Sequence, residues 1–254
     1  WGDFALYENN PLLSGNTGLD GSGTDGGGDG GGTTDPLVYR GTNGDDVLPA
    51  SGSTVDGDET YLGLGGNDLL QGGSGADTID GGDGSDIASY AGSSASVTVN
   101  LQAGTATGGD ATGDIVKSIE SVLGSSHGDV LTGNGNNNVL DGGAGADRLA
   151  GGKGNDTYLI DATGDLVAEL AKSGTDTARS TISYTLGANL ENLVLQGSAT
   201  NGSGNDIANM IIGTAAANNL KGLGGNDGLY GGAGDDVIDV VAMTRSRANR
   251  VTTP

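Results

Sequence analysis

Apolar and polar positions follow a nine-residue period between Gly63 and Ser89, which reads GLGGNDLLQ, GGSGADTID, GGDGSDIAS. Each nonapeptide opens on glycine and carries an acid at its sixth position (Asp68, Asp77, Asp86). Each closes on a triplet whose middle residue can be buried (Leu70, Ile79, Ala88). A buried residue between two outward neighbours marks a short strand with one covered face. One turn plus one strand makes half a coil, so residues eighteen apart stack on the same edge. The pattern therefore predicts an all-β solenoid of stacked coils.

The same phase can be followed along most of the chain. GTNGDDVLP (41–49) places Asp46 sixth and Leu48 eighth. Four extra residues, Ala50 to Ser53, precede a degenerate copy, TVDGDETYL, with Glu59 sixth and Tyr61 eighth. Tyr90 to Gly113 breaks the period: SVTVNL alternates like a strand, and GTATGGDATGD reads as a polar loop. IVKSIESVL (115–123) returns in phase with Glu120 and Val122, keeping its strand but lacking a glycine turn. A second block (124–159) has Asp129, Asn138, Asp147 and Asp156 at sixth positions, over Leu131, Leu140, Leu149 and Tyr158. Residues 160–196 hold short β-prone segments with longer turns, and a short helix competes over Asp165 to Lys172. A third block (204–239) has Asn209, Asn218, Asp227 and Asp236 over Ile211, Leu220, Leu229 and Ile238.

The expected organisation has six segments. Residues 1–13, with the only Trp and the only Phe, read either as the remnant of an upstream domain or as an anchor on the roll. Residues 14–36 form a Gly/Asp-rich flexible linker. Residues 37–123 are the first block plus spacer, 124–196 the second block plus spacer, and 197–239 the third block. Residues 240–254 are an atypical basic tail with three of the ten basic residues.

Composition makes such a solenoid dependent on outside help. Of 254 residues, 53 are Gly, and 33 Asp and Glu against 10 Lys and Arg give a formal charge of −23. Leu, Ile, Val and Phe total 51, about 20%, at the boundary where a highly charged chain stays unfolded. Ordering a residue costs roughly 1–2 kcal/mol, while a buried Leu or Ile contributes about 1.5–3 kcal/mol. One inward residue in nine does not suffice. Divalent cations would add binding energy and cancel charge. Cys is absent, so disulfides supply nothing. The acidic excess argues against nucleic acid as a partner. No run approaches the roughly 18 apolar residues of a spanning helix, so no membrane insertion is expected.

The acid spacing suits calcium, which takes about 6–8 oxygen ligands from carboxylates and backbone carbonyls. Turning several carbonyls inward requires positive φ, which glycine adopts at least cost. Candidate ligand side chains are Asp46, Glu59, Asp68, Asp77, Asp86, Asp129, Asn138, Asp147, Asp156, Asp227 and Asp236. Candidate turn backbones are Gly63, Gly65, Gly72, Gly73, Gly75, Gly81, Gly82 and Gly84 in the first block. In the second they are Gly133, Gly135, Gly142, Gly143, Gly145, Gly151, Gly152 and Gly154, and in the third Gly222, Gly224, Gly231, Gly232 and Gly234. Several ions are expected, each between turns eighteen residues apart. This pairs Asp68 with Asp86, Glu59 with Asp77, Asp129 with Asp147, Asn138 with Asp156, Asn209 with Asp227, and Asn218 with Asp236. The turns of Asn209 and Asn218, poor in glycine, are expected to bind metal weakly or not at all.

Blocks 63–89, 124–159 and 222–239 resemble the RTX, or hemolysin-type calcium-binding, repeat family. The stretch from Asp156 through Asp227 also looks like the spacer-plus-repeat units that follow catalytic domains in secreted serralysin-like proteases and mannuronan C5-epimerases. The resemblance implies a parallel β-roll, calcium in the turns, and a secreted, extracellular protein exported through type I secretion machinery before it folds. The basic tail differs from the uncharged or acidic export signal usual in that family.

Other chemistry finds little footing. GSSHG (124–128) has the spacing of a nucleophile elbow, but it lies in repeat phase, and His127 is the only His. No H-E-x-x-H zinc motif occurs. GSGTDG (21–26) has dinucleotide-loop spacing without a flanking strand or helix. No catalytic residue is assigned and the chain is not read as an enzyme. Two functions follow. One is a calcium-dependent folding and secretion module for a larger protein, for example a polysaccharide-modifying enzyme. The other is a structural or adhesive protein whose roll surface is the working interface. The upstream sequence, catalytic or adhesive, separates them.

Overall fold

The computed structural model describes residues 37–49 and 57–240. The expected upstream remnant (1–13), the linker (14–36), the inserted residues 50–53 and the tail from 241 onward lie outside the described residues. The chain divides into two compact units, one ending at Ala168 and one beginning at Glu169.

In the first unit every nonapeptide ends in a strand, and successive strands alternate between two sheets except across residues 98–117. They are β1 (Val38–Arg40), β2 (Val47–Leu48), β3 (Thr60–Gly65), β4 (Leu69–Leu70), β5 (Thr78–Asp83), β6 (Ile87–Ser89), β7 (Thr98–Asn100), β8 (Thr105–Thr107), β9 (Ile115–Lys117), β10 (Ser121–Leu123), β11 (Val130–Thr132), β12 (Val139–Asp141), β13 (Arg148–Ala150), β14 (Thr157–Ile160) and β15 (Leu166–Val167). One sheet runs β1-β3-β5-β9-β8-β7-β11-β13-β15, and the other β2-β4-β6-β10-β12-β14. Pairing is parallel and in register every eighteen residues where the repeat is regular, as in Thr60 on Thr78 and Leu69 on Ile87. Val47 lies on Leu69 rather than eighteen residues on, and the register of the inward residues is kept (Leu48 on Leu70).

The spacer of the first unit departs from the simple solenoid. GTATGGDATGD is not wholly a loop. It contains β8, which pairs antiparallel with β7 and β9, and a short 3-10 turn at Gly109–Ala111. Its Thr-Ala-Thr triplet puts Ala106 inward and two threonines outward, the same strand chemistry with the direction reversed.

The second unit carries β16 (Thr177–Ser180), β17 (Tyr184–Thr185), β18 (Asn192–Leu195), β19 (Asn201–Ser203), β20 (Met210–Ile212), β21 (Asn219–Lys221), β22 (Gly228–Tyr230) and β23 (Val237–Asp239). Its sheets run β16-β18-β20-β22 and β17-β19-β21-β23, all parallel. No helix forms over 165–172, because β15 occupies its start and turns follow. No helix among the described residues is long and apolar enough to cross a membrane.

The core of each unit is a column of inward residues. Tyr61, Leu70, Ile79, Ala88, Val122, Leu131, Leu140, Leu149 and Tyr158 are fully buried in the first unit, as are Ala178, Leu193, Ile211 and Leu220 in the second. The column frays at its C-terminal end, where Ile238 is 45% exposed. Tyr61 stacks on Tyr39 of the preceding coil with ring centroids 5.0 Å apart.

Candidate metal-binding turns

Strand register brings the sixth positions one above another, and a repeated hydrogen bond ties them. The backbone N–H of Asp68 donates to Asp86 Oδ1 at 2.8 Å, and that of Asp46 to Asp68 Oδ1 at 2.9 Å. On the other sheet, Glu59 N–H donates to Asp77 Oδ1 at 2.8 Å. The link recurs from Asp129 to Asp147 (2.8 Å) and from Asn138 to Asp156 (2.7 Å). In the second unit it joins Asn209 to Asp227 (3.0 Å) and Asn218 to Asp236 (2.9 Å). Each pairing expected from the eighteen-residue spacing is thus in place.

The ladder includes acids that the repeat pattern did not assign as ligands. Asp114 Oδ1 accepts from Asp77 N–H at 2.8 Å, and Glu120 Oε2 from Asp86 N–H at 3.0 Å. Asp165 Oδ1 accepts from Asp147 N–H at 3.1 Å, and Glu191 Oε2 from Asp176 N–H at 2.8 Å. Asp165 could have been found by counting on from Asp147. IDATGDLVA (160–168) holds it sixth and Val167 eighth, but lacks the opening glycines. Asp114 and Glu191 give no such signal, since insertions of irregular length shift their phase.

Burial sets the electrostatics. Asp46, Glu59, Asp68, Asp77, Asp86, Asp129, Asn138, Asp147 and Asp156 are buried, while Asp227 and Asp236 are half-buried. The second carboxylate oxygens of Asp68, Asp77, Asp86 and Asp227 are buried with no hydrogen-bond partner. Burial pushes the Asp68 carboxyl up to about 6, and the nearby Asp86 and Asp46 charges push the same way. Asp147 is raised to about 6 by burial, with Asp165 and Asp129 adding to it. Burial also raises Asp77, Asp86 and Glu120. A buried anion without a donor is costly, and a cation is the usual remedy. Asp114 is the contrast. Its second oxygen accepts the Tyr90 hydroxyl at 3.0 Å, so both its oxygens have donors.

Glycine acts in two ways. A Cβ on a first-position glycine would enter the space of the sixth-position side chain, as at Gly63 against Asp68 Oδ2 and Gly81 against Asp86 Oδ2. Gly72, Gly142, Gly151, Gly222 and Gly231 meet their own acids in the same way, and Gly133 meets Asn138. At the second and fourth positions the backbone is left-handed. Gly82 (φ 96°) and Gly84 (φ 149°) lie against the Leu64 and Gly66 carbonyl oxygens of the coil before. Left-handed pairs recur at Gly73 and Gly75, Gly143 and Gly145, Gly152 and Gly154, and Gly232 and Gly234. In the two GLGGND turns the left-handed residues are Leu64 and Gly66, and Leu223 and Gly225. Gly65 and Gly224, between those residues, carry no left-handed φ, and neither does Gly135.

The serine–histidine pair of GSSHG does not form a triad. Ser126 and His127 are exposed at 3.4 Å, while the Asp129 carboxylate turns inward to the N–H groups of Val97 and Ser125.

These features define a class: a repeat solenoid whose glycine turns stack coil on coil and bury carboxylate oxygens without donors, an environment suited to a hard divalent cation. Comparison with known families agrees. A family model of four copies of the RTX calcium-binding nonapeptide repeat matches residues 53–88, 123–158 and 203–238, and these segments belong to that family. The chain therefore carries RTX calcium-binding repeats in a β-roll, a module of a kind typical of secreted proteins. No curated protein matches the chain.

Proposed function

We propose that this chain is a calcium-dependent folding module that stays expanded where calcium is scarce and folds outside the cell, supporting the export and stability of a larger type I secreted protein. The observation that carries this reading is the set of buried, donor-less oxygens on Asp68, Asp77 and Asp86 in consecutive half-coils. Calcium, when bound, supplies the positive charge those turns lack, with their oxygens as its ligands. The carboxylates of Asp68, Asp77, Asp86 and Asp227, and the carbonyls of the left-handed turns, would hold it. The other acidic side chains of the set read from the sequence are proposed on the same pattern. Without the ion, the net charge of −23 favours an expanded chain. With it, the turns close and the inward column of Tyr61, Leu70 and Ile79 can pack.

The chain itself is read as non-catalytic, and any catalysis belongs to a further domain of the parent protein. Isothermal titration calorimetry with calcium and with magnesium tests the proposal. Calcium should bind at several sites with affinity in the extracellular range, about 10⁻⁴–10⁻³ M, and magnesium much more weakly. Equal affinity for both ions, or no heat with calcium, would refute it.

A further inference from the structure

Asparagine replaces aspartate at three sixth positions, and there the hydrogen bonding reverses. An Asp in the ladder offers an oxygen to the N–H one coil earlier. The Asn138 amide instead donates to the Glu120 carbonyl at 3.1 Å. Asn209 Nδ2 donates to the Leu190 carbonyl at 2.9 Å and the Glu191 carbonyl at 3.3 Å. Asn218 Nδ2 donates to the Ala199 carbonyl at 3.2 Å. The other end of each amide is also used. Asn138, Asn209 and Asn218 Oδ1 accept the N–H groups of Asn134, Asn205 and Thr214 at 2.7–2.8 Å. No oxygen of these side chains is left without a donor, in contrast to Asp68 or Asp86.

The turns around them also differ from the glycine-pair turns, in a way that the turns of Asp46 and Asp129 share. The second-position side chain closes the loop itself: Asn134 Oδ1 accepts Asn136 N–H at 2.8 Å, Asn205 Oδ1 accepts Ile207 N–H at 3.1 Å, and Thr214 Oγ1 accepts Ala216 N–H at 3.1 Å. None of these loops contains a left-handed residue. They lack the left-handed pair found at Asp77, Asp86, Asp147 and Asp156, and an amide N–H repels a cation where a carboxylate would attract it.

We propose that the turns of Asn138, Asn209 and Asn218 close without an ion, the side-chain amide standing where neighbouring turns require a cation. The central part of unit 2 is then independent of calcium. From β18 through β21 the inward residues Leu193, Ile211 and Leu220 are buried, and both sheets are bridged by amides rather than by acids. This stretch is a permanent nucleus, and the acidic turns of Asp227 and Asp236 grow from it when calcium arrives. The inference rests on reading the acidic turns as calcium sites.

Hydrogen exchange with mass spectrometry on the full chain, in chelator and in calcium, tests it. Peptides spanning 192–221 should keep their protection in chelator to within about threefold, while those spanning 60–88 lose it by about a hundredfold or more. The double substitution Asn209→Asp with Asn218→Asp, checked for folding in calcium, should make 192–221 calcium-dependent and raise the ion count. Loss of protection in both stretches on chelation would overturn the nucleus and leave the calcium module standing. Protection of both in chelator would overturn the calcium reading, and this inference with it. A double variant that stays protected in chelator would overturn the role given to the amides.

Discussion

Asp86 accepts the backbone N–H of Asp68, eighteen residues earlier, at 2.8 Å, while its other carboxylate oxygen is buried with no donor. One oxygen of the acid thus fixes the stacking of coils, and the other creates the demand for a cation. On the proposed reading folding and binding are one event, as in other domains where ligands come together only in the folded state.

Removing the acid removes both roles. Asp86→Ala should raise the calcium midpoint for folding by about tenfold or more, in line with roughly 1.5–3 kcal/mol for a charged hydrogen bond. Asp110→Ala, on the spacer turn, should leave the midpoint within about twofold. Calcium titrations followed by circular dichroism compare the two.

The pH dependence has a definite sign. Burial raises Asp68 and Asp147 to about 6 in the folded, ion-free chain, above their unfolded value. Protonation therefore favours the ion-free fold, and its destabilisation is fully present above about pH 6. In chelator, acidification from pH 7 toward pH 4 should increase folded signal. Calcium must displace those protons, so its affinity should fall as pH drops through about 6. Calorimetry at pH 7.5 and pH 5 checks the second half, and equal affinities would contradict it.

Two glycines in one turn should respond oppositely. A Cβ on Gly133 meets Asn138 Oδ1 and the Gly151 carbonyl, whereas one on Gly135 meets nothing within 4 Å. Gly133→Ala should destabilise by about 2–3 kcal/mol. Gly135→Ala should be neutral or stabilise by up to about 1 kcal/mol, through loss of unfolded-state freedom. Denaturant unfolding in saturating calcium measures both.

Leu64 holds φ at 77° and is 44% exposed, at a position where the next coil has Gly82. Leu64→Gly should stabilise the loaded roll by about 1 kcal/mol, because the left-handed strain exceeds the entropic cost of the glycine. A lower midpoint of denaturation would contradict that.

Much of this architecture is legible in the sequence because the repeat is physical as well as formal. Leu70, Ile79, Leu131 and Leu140 recur at the one inward position of each half-coil, and nothing else in the nonapeptide can be buried as cheaply. The acid pairings follow from the same count. What escapes is what insertions hide. Asp114 reaches Asp77 only through the antiparallel β7–β8–β9 excursion, whose length no period fixes. Asp165 lies in phase, but its turn has lost the glycines that announce the others. The role of Asn138 depends on which end of its amide faces the coil before, and residue spacing does not specify that.

The central claim is that calcium is part of the fold. Far-ultraviolet circular dichroism and hydrodynamic radius, measured on the same sample in chelator and then in millimolar calcium, test it most directly. Calcium-coupled folding predicts that added calcium raises the β-sheet signal cooperatively and contracts the radius, and that both changes reverse on chelation. A chain already showing the full β-sheet signal and the smaller radius in chelator would contradict it.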